Sequence, residues 1–121
     1  MKTANIEVAW AAGLLEGEAC FDIRKSNALV RDPDNKHCRI IVEMKDLDVL
    51  EKLQKIFGGT LVQVNCKSKI KAQWSPYFKW LLTKRIDVLS CLKQILPMMS
   101  TRRAIKIQEM ILFLETKLEN K

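Results

Sequence analysis

Two glutamates stand at the end of an apolar segment, where their side chains could bind a metal ion. Glu16 and Glu18 follow residues 8–15, which carry no polar side chain, and the pattern predicts a helix over residues 5–18. Acids in the last helical turn are unfavourable by roughly 0.3–1 kcal/mol each, because unpaired carbonyls there are partly negative. Mg²⁺ would relieve this, since it binds carboxylate and carbonyl oxygens. The alternative is two surface glutamates at a frayed helix end.

The helix that carries these acids is apolar on every side. Its residues at positions 9, 13 and 17 are Ala or Gly and form one row of small side chains. A helix that is apolar all round is buried all round, and small residues let two backbones approach closely. The row either packs inside one chain or forms a seam between two copies, which we favour. The predicted seam residues are Ala9, Ala12, Gly13 and Gly17.

Hydrophobic periodicity along the rest of the chain predicts one α+β domain over residues 1–121. The order is α-β-β-α-β-β-α-α, in which antiparallel hairpins carry helices on one face. In the third helix Ile86, Leu89, Leu92 and Leu96 are expected to be the apolar row. The predicted strands cover residues 19–26, 36–45, 60–66 and 70–81, and the later helices cover 46–57, 84–96 and 100–118.

The other face of the predicted sheet is polar. Arg, Lys and Gln side chains on alternating strand positions suit the reading of base edges in the DNA major groove. A solvated polar face, which every half-exposed sheet has, is the alternative. The last helix also begins with Arg102 and Arg103, which oppose the helix dipole unless an anion lies nearby. The predicted DNA-binding residues are Asp22, Arg24, Ser26, His37, Arg39, Glu43, Lys67, Lys69, Lys71 and Gln73.

The overall composition favours an intracellular protein with a polyanionic partner. The net charge is +7 and the pI is about 9.4. No segment resembles a signal peptide or a membrane span, so we expect the cytoplasm of a bacterium or phage host, or an organelle, and not secretion. The four cysteines, at positions 20, 38, 66 and 91, lack the spacing of a zinc site and are expected to be reduced, mostly buried thiols.

The segment AAGLLEGEA at residues 11–19 resembles the LAGLIDADG motif of homing endonucleases. The likeness continues through four short segments that resemble family segments in the same order along the chain: Lys45-Asp46, Phe57-Gly58-Gly59, Ile95-Leu96-Pro97 and Arg102-Arg103. The resemblance implies an αββαββα fold with an extra C-terminal helix and a saddle-shaped antiparallel sheet whose helices lie on one face. One motif per chain implies a homodimer, with the motif helices at its two-fold axis.

The same resemblance implies a function. The chain would be an intron-encoded, sequence-specific DNA endonuclease that makes a metal-dependent double-strand break at a long near-palindromic site. Glu18 would hold shared Mg²⁺ ions with help from the Gly17 carbonyl, while Glu16 would be structural. Mn²⁺ would substitute, and Ca²⁺ would allow binding without cleavage. The implied catalytic residues are Glu18, Arg102 and Arg103, with the arginines near the cleaved phosphates.

Five positions differ from the usual family pattern. Ala19 replaces the last motif glycine, Met44 stands where a glutamine is common, and Arg102 takes the place of a lysine. Glu16 and Glu18 stand where aspartate is common, and the extra methylene of Glu18 could move the metal. These differences concern the cutting step more than the fold or DNA binding. They leave two alternatives, an intron maturase that binds RNA and a non-cleaving relative that binds DNA or RNA. A third alternative is a structural dimer whose acids and basic face have no ligand.

Overall fold

The computed structural model describes the backbone of residues 3–25, 36–64 and 76–119, and the side chains of residues 6–23, 37–64 and 76–117. Five predicted DNA-binding residues and one cysteine lie outside the described residues: Ser26, Lys67, Lys69, Lys71, Gln73 and Cys66. The side chain of Arg24 is likewise outside them, although its backbone is described.

Within the described residues, four α-helices and four strands follow one another in the predicted order. Their end points lie within two residues of the predicted ones, except that the fourth strand begins at Tyr77 and its predicted residues 70–75 lie outside the described residues. No helix in the described part of the chain is long and apolar enough to cross a bilayer. The elements are α1 Thr3–Glu18, β1 Cys20–Lys25, β2 Lys36–Met44, α2 Leu47–Phe57, β3 Thr60–Val64, β4 Tyr77–Leu82, α3 Arg85–Ile95, a 3₁₀ turn Leu96–Met98, and α4 Thr101–Glu119.

The strands form one antiparallel sheet in the order β1-β2-β4-β3. The predicted alternation is confirmed, because Cys38, Ile40 and Val42 are buried while His37 and Glu43 of the same strand are exposed. Trp80 and Leu82 of β4 complete the buried face. The helices cover this face, so the predicted α+β arrangement is confirmed, and the opposite face of the sheet carries the polar side chains.

The helices contribute one stripe each to the core. α3 buries Val88, Cys91, Leu92 and Ile95, whereas Ile86 is 62% exposed. The predicted apolar row was therefore wrong at Ile86, which lies about 200° around the helix from Val88. In α4 the buried residues are Ile107, Met110 and Leu114. Among the cysteines with described side chains, Cys38 and Cys91 are buried as expected and Cys20 is exposed.

The link from α2 to β3 is made by two glycines with positive φ. Gly58 has φ +82° and Gly59 has φ +100°, a backbone region that residues with a side chain rarely adopt. The Trp80 indole N–H donates a hydrogen bond of 2.8 Å to the Gly58 carbonyl, which fixes the link against the sheet. At the other end of α2, Asp46 occupies the expected N-cap position, but its side chain makes no capping hydrogen bond.

Candidate functional site

The two carboxylates at the end of α1 have different surroundings. Glu16 faces the start of α4, where its Oε1 accepts a 2.6 Å hydrogen bond from the backbone N–H of Ser100. Its Oε2 lies 3.7 Å from Nε of Arg103. Hydrogen bonding from the side chain and backbone of Ser100 lowers the pKa of Glu16, and the charges of Arg103 and Arg102 lower it further against the opposing effect of burial. Glu16 is therefore the anion that the basic first turn of α4 requires.

The surroundings of Glu18 are different. It is exposed, and its carboxylate makes no hydrogen bond or ion pair with any described residue. Gly17 is also exposed, and a Cβ built at Gly17 would meet nothing within 4 Å. The last carbonyls of a helix have no partner within the helix. The end of α1 thus presents a free carboxylate and free carbonyl oxygens on the surface.

These oxygens fit a hard divalent cation in type but not in number. Mg²⁺ takes six oxygen ligands and usually keeps several waters and substrate phosphate oxygens among them. Within the described ranges, no group of three or more His, Cys, Asp or Glu side chains is placed to hold a metal ion. One chain could therefore supply only part of a metal site, and the remaining ligands must come from a second copy, a substrate or water.

The arginine pair divides in the same way as the glutamate pair. Arg103 lies over the α1–β1 link, where its Nη1 donates a 2.7 Å hydrogen bond to the Ala19 carbonyl. Its guanidinium also lies 5.4 Å from the ring centroid of Phe21. Arg102 is exposed and makes no hydrogen bond or ion pair within the described part of the chain. Of the two arginines expected near the phosphates, only Arg102 is free to bind one.

The substitution of Ala19 for the last motif glycine does not disturb the helix end. No described residue other than glycine has a positive φ, so the turn at Ala19 needs no glycine. The Ala19 N–H continues the helix by donating to the Leu15 carbonyl at 3.1 Å, and Ala19 is only 5% exposed. Met44, the second difference, is half-buried on the helix-covered face and packs against the core. A glutamine at position 44 would therefore point away from the polar face.

One side of α1 is open. Ala9, Gly13 and Gly17 are exposed, and a Cβ built at Gly13 would meet nothing within 4 Å. Ile6, on the same side of the helix, is 58% exposed. Ala12 does not belong to this open row, because it is 2% exposed and packs in the core of its own chain. The predicted seam must be corrected at Ala12, since a residue buried in this way cannot contact a second copy.

The polar face of the sheet is crossed by ion pairs between registered neighbours. Arg39 Nε lies 3.2 Å from Asp22 Oδ2, and Lys79 Nζ lies 3.5 Å from Glu43 Oε1. All four side chains are a quarter to a half exposed, so each pair contributes only about 0–1 kcal/mol to stability. Such weak pairs can exchange partners at low cost when a charged ligand approaches.

The structure brings several predicted DNA-binding residues together on this face and adds others. His37 is exposed there, and the backbone of Arg24 pairs with it in register. Lys79 and Tyr77 lie on the same face and were not predicted. The signal for them was present, because both share the strand parity of Lys71 and Gln73.

Residues 11–96 match the family model described as LAGLIDADG endonuclease. The fold is similar to the homing endonuclease I-CvuI in complex with the I-CreI target, at a TM-score of 0.72 and 14% identity, over 93% of this chain and 68% of that one. It is also similar to the group I intron-encoded homing endonuclease I-CeuI complexed with DNA, at a TM-score of 0.72 and 17% identity, over 99% and 59% of the two chains.

A third similar structure is the I-SmaMI LAGLIDADG homing endonuclease bound to cleaved DNA. The TM-score is 0.63 and the identity 15%, over 93% of this chain and 37% of the other. At these identities the likeness shows the fold alone. Among curated protein sequences, the chain has no significant match.

Proposed function

Because the chain belongs to the LAGLIDADG endonuclease family, we propose that it is a homodimeric, sequence-specific DNA endonuclease that makes a metal-dependent double-strand break. The target would be a long, near-palindromic site, since a two-fold symmetric dimer presents the same reading surface twice. The observation that carries the proposal is the free Glu18 carboxylate at the end of a helix whose small-residue row is open.

Dimer formation would complete the site that one chain leaves incomplete. Ala9, Gly13 and Gly17 form an open row on α1, and a second copy of α1 could approach it closely because the two glycines have no side chain and Ala9 has only a methyl group. Contact along this row would bring the two Glu18 carboxylates together near the two-fold axis. Each chain would then contribute one carboxylate and the carbonyl of Gly17 to a shared set of oxygen ligands.

The residues at this end would act on a phosphodiester. Mg²⁺, when held by Glu18 and the Gly17 carbonyl, would supply Lewis-acid stabilisation of the phosphate and a water that is easier to ionise. Two structures of I-CvuI on DNA, one in the presence of 2 mM Mg with the DNA not cleaved and one in the presence of 2 mM Ca, support the presence of a divalent cation in such a complex. Arg102 is free in the described part of the chain and would bind a phosphate oxygen, where its fixed charge stabilises the developing negative charge.

The polar face of the sheet would read the DNA. Arg39 can form two hydrogen bonds with guanine in the major groove, while Asp22 and Glu43 can accept from cytosine. Arg39 and Glu43 are each paired across the sheet with a neighbouring strand, and a base would replace that partner in the complex. The net charge of +7, doubled in a dimer, would draw the protein to DNA without adding specificity.

Selection from random duplexes would test the function. Wild-type protein is incubated with the random pool in Ca²⁺, bound duplexes are recovered over several rounds, and the final pool is transferred to Mg²⁺. We expect an enriched, near-palindromic sequence that is cut on both strands. The same protein incubated with Mg²⁺ and the unselected pool is the control for non-specific nuclease.

Other outcomes would contradict parts of the proposal. An enriched pool that stays intact in Mg²⁺ or Mn²⁺ would indicate a DNA-binding relative without cleavage. Failure to enrich any duplex, together with affinity for a structured intron RNA, would favour the maturase alternative. Binding no tighter than to random DNA at moderate salt would favour a structural dimer.

A further inference from the structure

We propose that Arg103 is a positioning residue for the cutting reaction. It acts by fixing the α1–β1 link, here residues 18–21, of which Glu18 is the first. This inference rests on the proposed role of Glu18. In this role Arg103 contacts neither the DNA nor the metal, whereas Arg102 would contact a phosphate. Arg103 acts instead through the backbone on either side of Glu18.

The contacts of the Arg103 guanidinium bracket Glu18 along the chain. On one side Nε lies 3.7 Å from the Glu16 carboxylate, in the last turn of α1. On the other side Nη1 donates to the Ala19 carbonyl at 2.7 Å, and the guanidinium lies over the Phe21 ring in β1. One side chain therefore holds the residues before and after Glu18 while it leaves the Glu18 carboxylate free.

The arginine is itself held on a rigid base. α4 starts two residues before Arg103 and is anchored in the core by Ile107 and Met110, both fully buried. The Ser100 N–H bond to Glu16 makes a second connection between the start of α4 and the end of α1. Because the Arg103 side chain is only 24% exposed, solvent weakens its bonds less than those of a surface pair.

The fixed link matters because the reactive oxygens must be placed accurately. Ala19 and Phe21 are buried, whereas Gly17 and Glu18 are exposed, and the Glu18 carboxylate makes no hydrogen bond or ion pair with a described residue. Without the guanidinium, the Ala19 carbonyl loses its side-chain donor and the link gains conformational freedom. Glu18 would then spend less time in the geometry needed for metal binding and phosphate attack.

Two variants of Arg103 and one control separate this role from general stability. Arg103→Met keeps an unbranched apolar stem and removes every donor, whereas Arg103→Lys keeps the charge and one donor group. Lys106→Met removes the same charge from the next turn of α4, where Lys106 pairs with Glu109 at 4.0 Å. All three are compared as full-length chains with matched melting curves.

The first readout uses the protein alone and does not depend on cutting. Hydrogen exchange of the backbone amides of residues 18–21, measured by NMR, reports how firmly the link is held. We expect faster exchange in Arg103→Met, an intermediate rate in Arg103→Lys and the wild-type rate in Lys106→Met. Unchanged exchange in Arg103→Met would overturn the inference directly.

The second readout uses the duplex recovered by selection. We expect Arg103→Met to lower kcat by roughly 10-fold to 100-fold, the usual effect of losing a residue that orients metal ligands, with duplex affinity in Ca²⁺ unchanged. Arg103→Lys should recover part of kcat, and it carries the comparison if Arg103→Met does not fold. Wild-type kcat in Arg103→Met would contradict the inference, as would a loss of affinity in step with kcat, which indicates direct contact with DNA. Failure of the wild-type protein to cut any duplex would instead contradict the proposed function. The exchange measurement would still test whether Arg103 fixes the α1–β1 link.

Discussion

Gly59 offers a sharp test of how the sheet is joined to α2. A methyl group added at Gly59 would place Cβ 2.7 Å from the Leu81 carbonyl oxygen and 2.9 Å from Trp80 Nε1. The first neighbour is backbone and cannot swing aside. Positive φ costs a residue with a side chain about 1–2 kcal/mol, and weakening the Trp80 hydrogen bond to Gly58 costs about 0.5–1.5 kcal/mol. We therefore expect Gly59→Ala to lower the free energy of unfolding by roughly 1.5–3.5 kcal/mol.

Gly58→Ala is the matched control. Gly58 also has positive φ, but a Cβ there would meet nothing within 4 Å, so this variant carries backbone strain without the collision. Both variants carry the strain of a positive φ, so the difference between them reports mainly the contact with β4, and we expect Gly59→Ala to be the less stable by about 0.5–1.5 kcal/mol. Urea denaturation at one fixed protein concentration is the assay, because dissociation of a dimer makes apparent stability depend on concentration. Equal destabilisation by the two substitutions would refute the proposed collision.

The remaining predictions concern the seam, acid stability and thiol reactivity. Gly13→Leu should dissociate the dimer, and a dimer that persists in sedimentation velocity would place the interface elsewhere. The pKa of Glu16 in the folded protein is lower than its ordinary value of 4.5. The bonds of Glu16 to Ser100 and Arg103 therefore stabilise the fold fully above pH 4.5, and this stabilisation is lost as pH falls through the folded-state pKa. Glu16→Gln should therefore be less stable than wild type at pH 7 and approach it in acid, and a constant difference from pH 7 to pH 3 would contradict this. Burial raises the pKa of Cys38 to about 11. Alkylation at pH 8, followed by peptide mass spectrometry, should therefore modify Cys38 far more slowly than the exposed Cys20. Equal rates of modification would contradict the burial of Cys38.

The fold could be predicted from sequence because its signals are local. Alternation along β2 fixes which residues face the core, and the two glycines after Phe57 mark the end of α2. Lys79 could also have been placed on the polar face, since it has the same parity as Lys71 and Gln73 in the predicted strand 70–81. The error at Ile86 has a different origin, because α3 offers two partly overlapping apolar stripes and only packing selects between them.

The division of roles within the site could not be predicted from local pattern. Glu16 and Glu18 are alike in type and two positions apart, and the contact that separates them comes from Ser100, 84 residues away. Arg102 and Arg103 are distinguished in the same way, because only Arg103 reaches Ala19 across that distance. Ala12 and Gly13 are both small residues on an apolar helix, so no polarity shows which of them faces the core.

The central claim is that Glu18 holds the metal that cuts DNA, and the most direct test is Glu18→Gln assayed on the selected duplex. Glu7→Gln is the matched control, since Glu7 is exposed on the same helix and lies about 16 Å away along its axis. We expect Glu18→Gln to bind the duplex in Ca²⁺ but to cut it at least about 100-fold more slowly in Mg²⁺, while Glu7→Gln cuts at the wild-type rate. Cleavage by Glu18→Gln at the wild-type rate would contradict the claim.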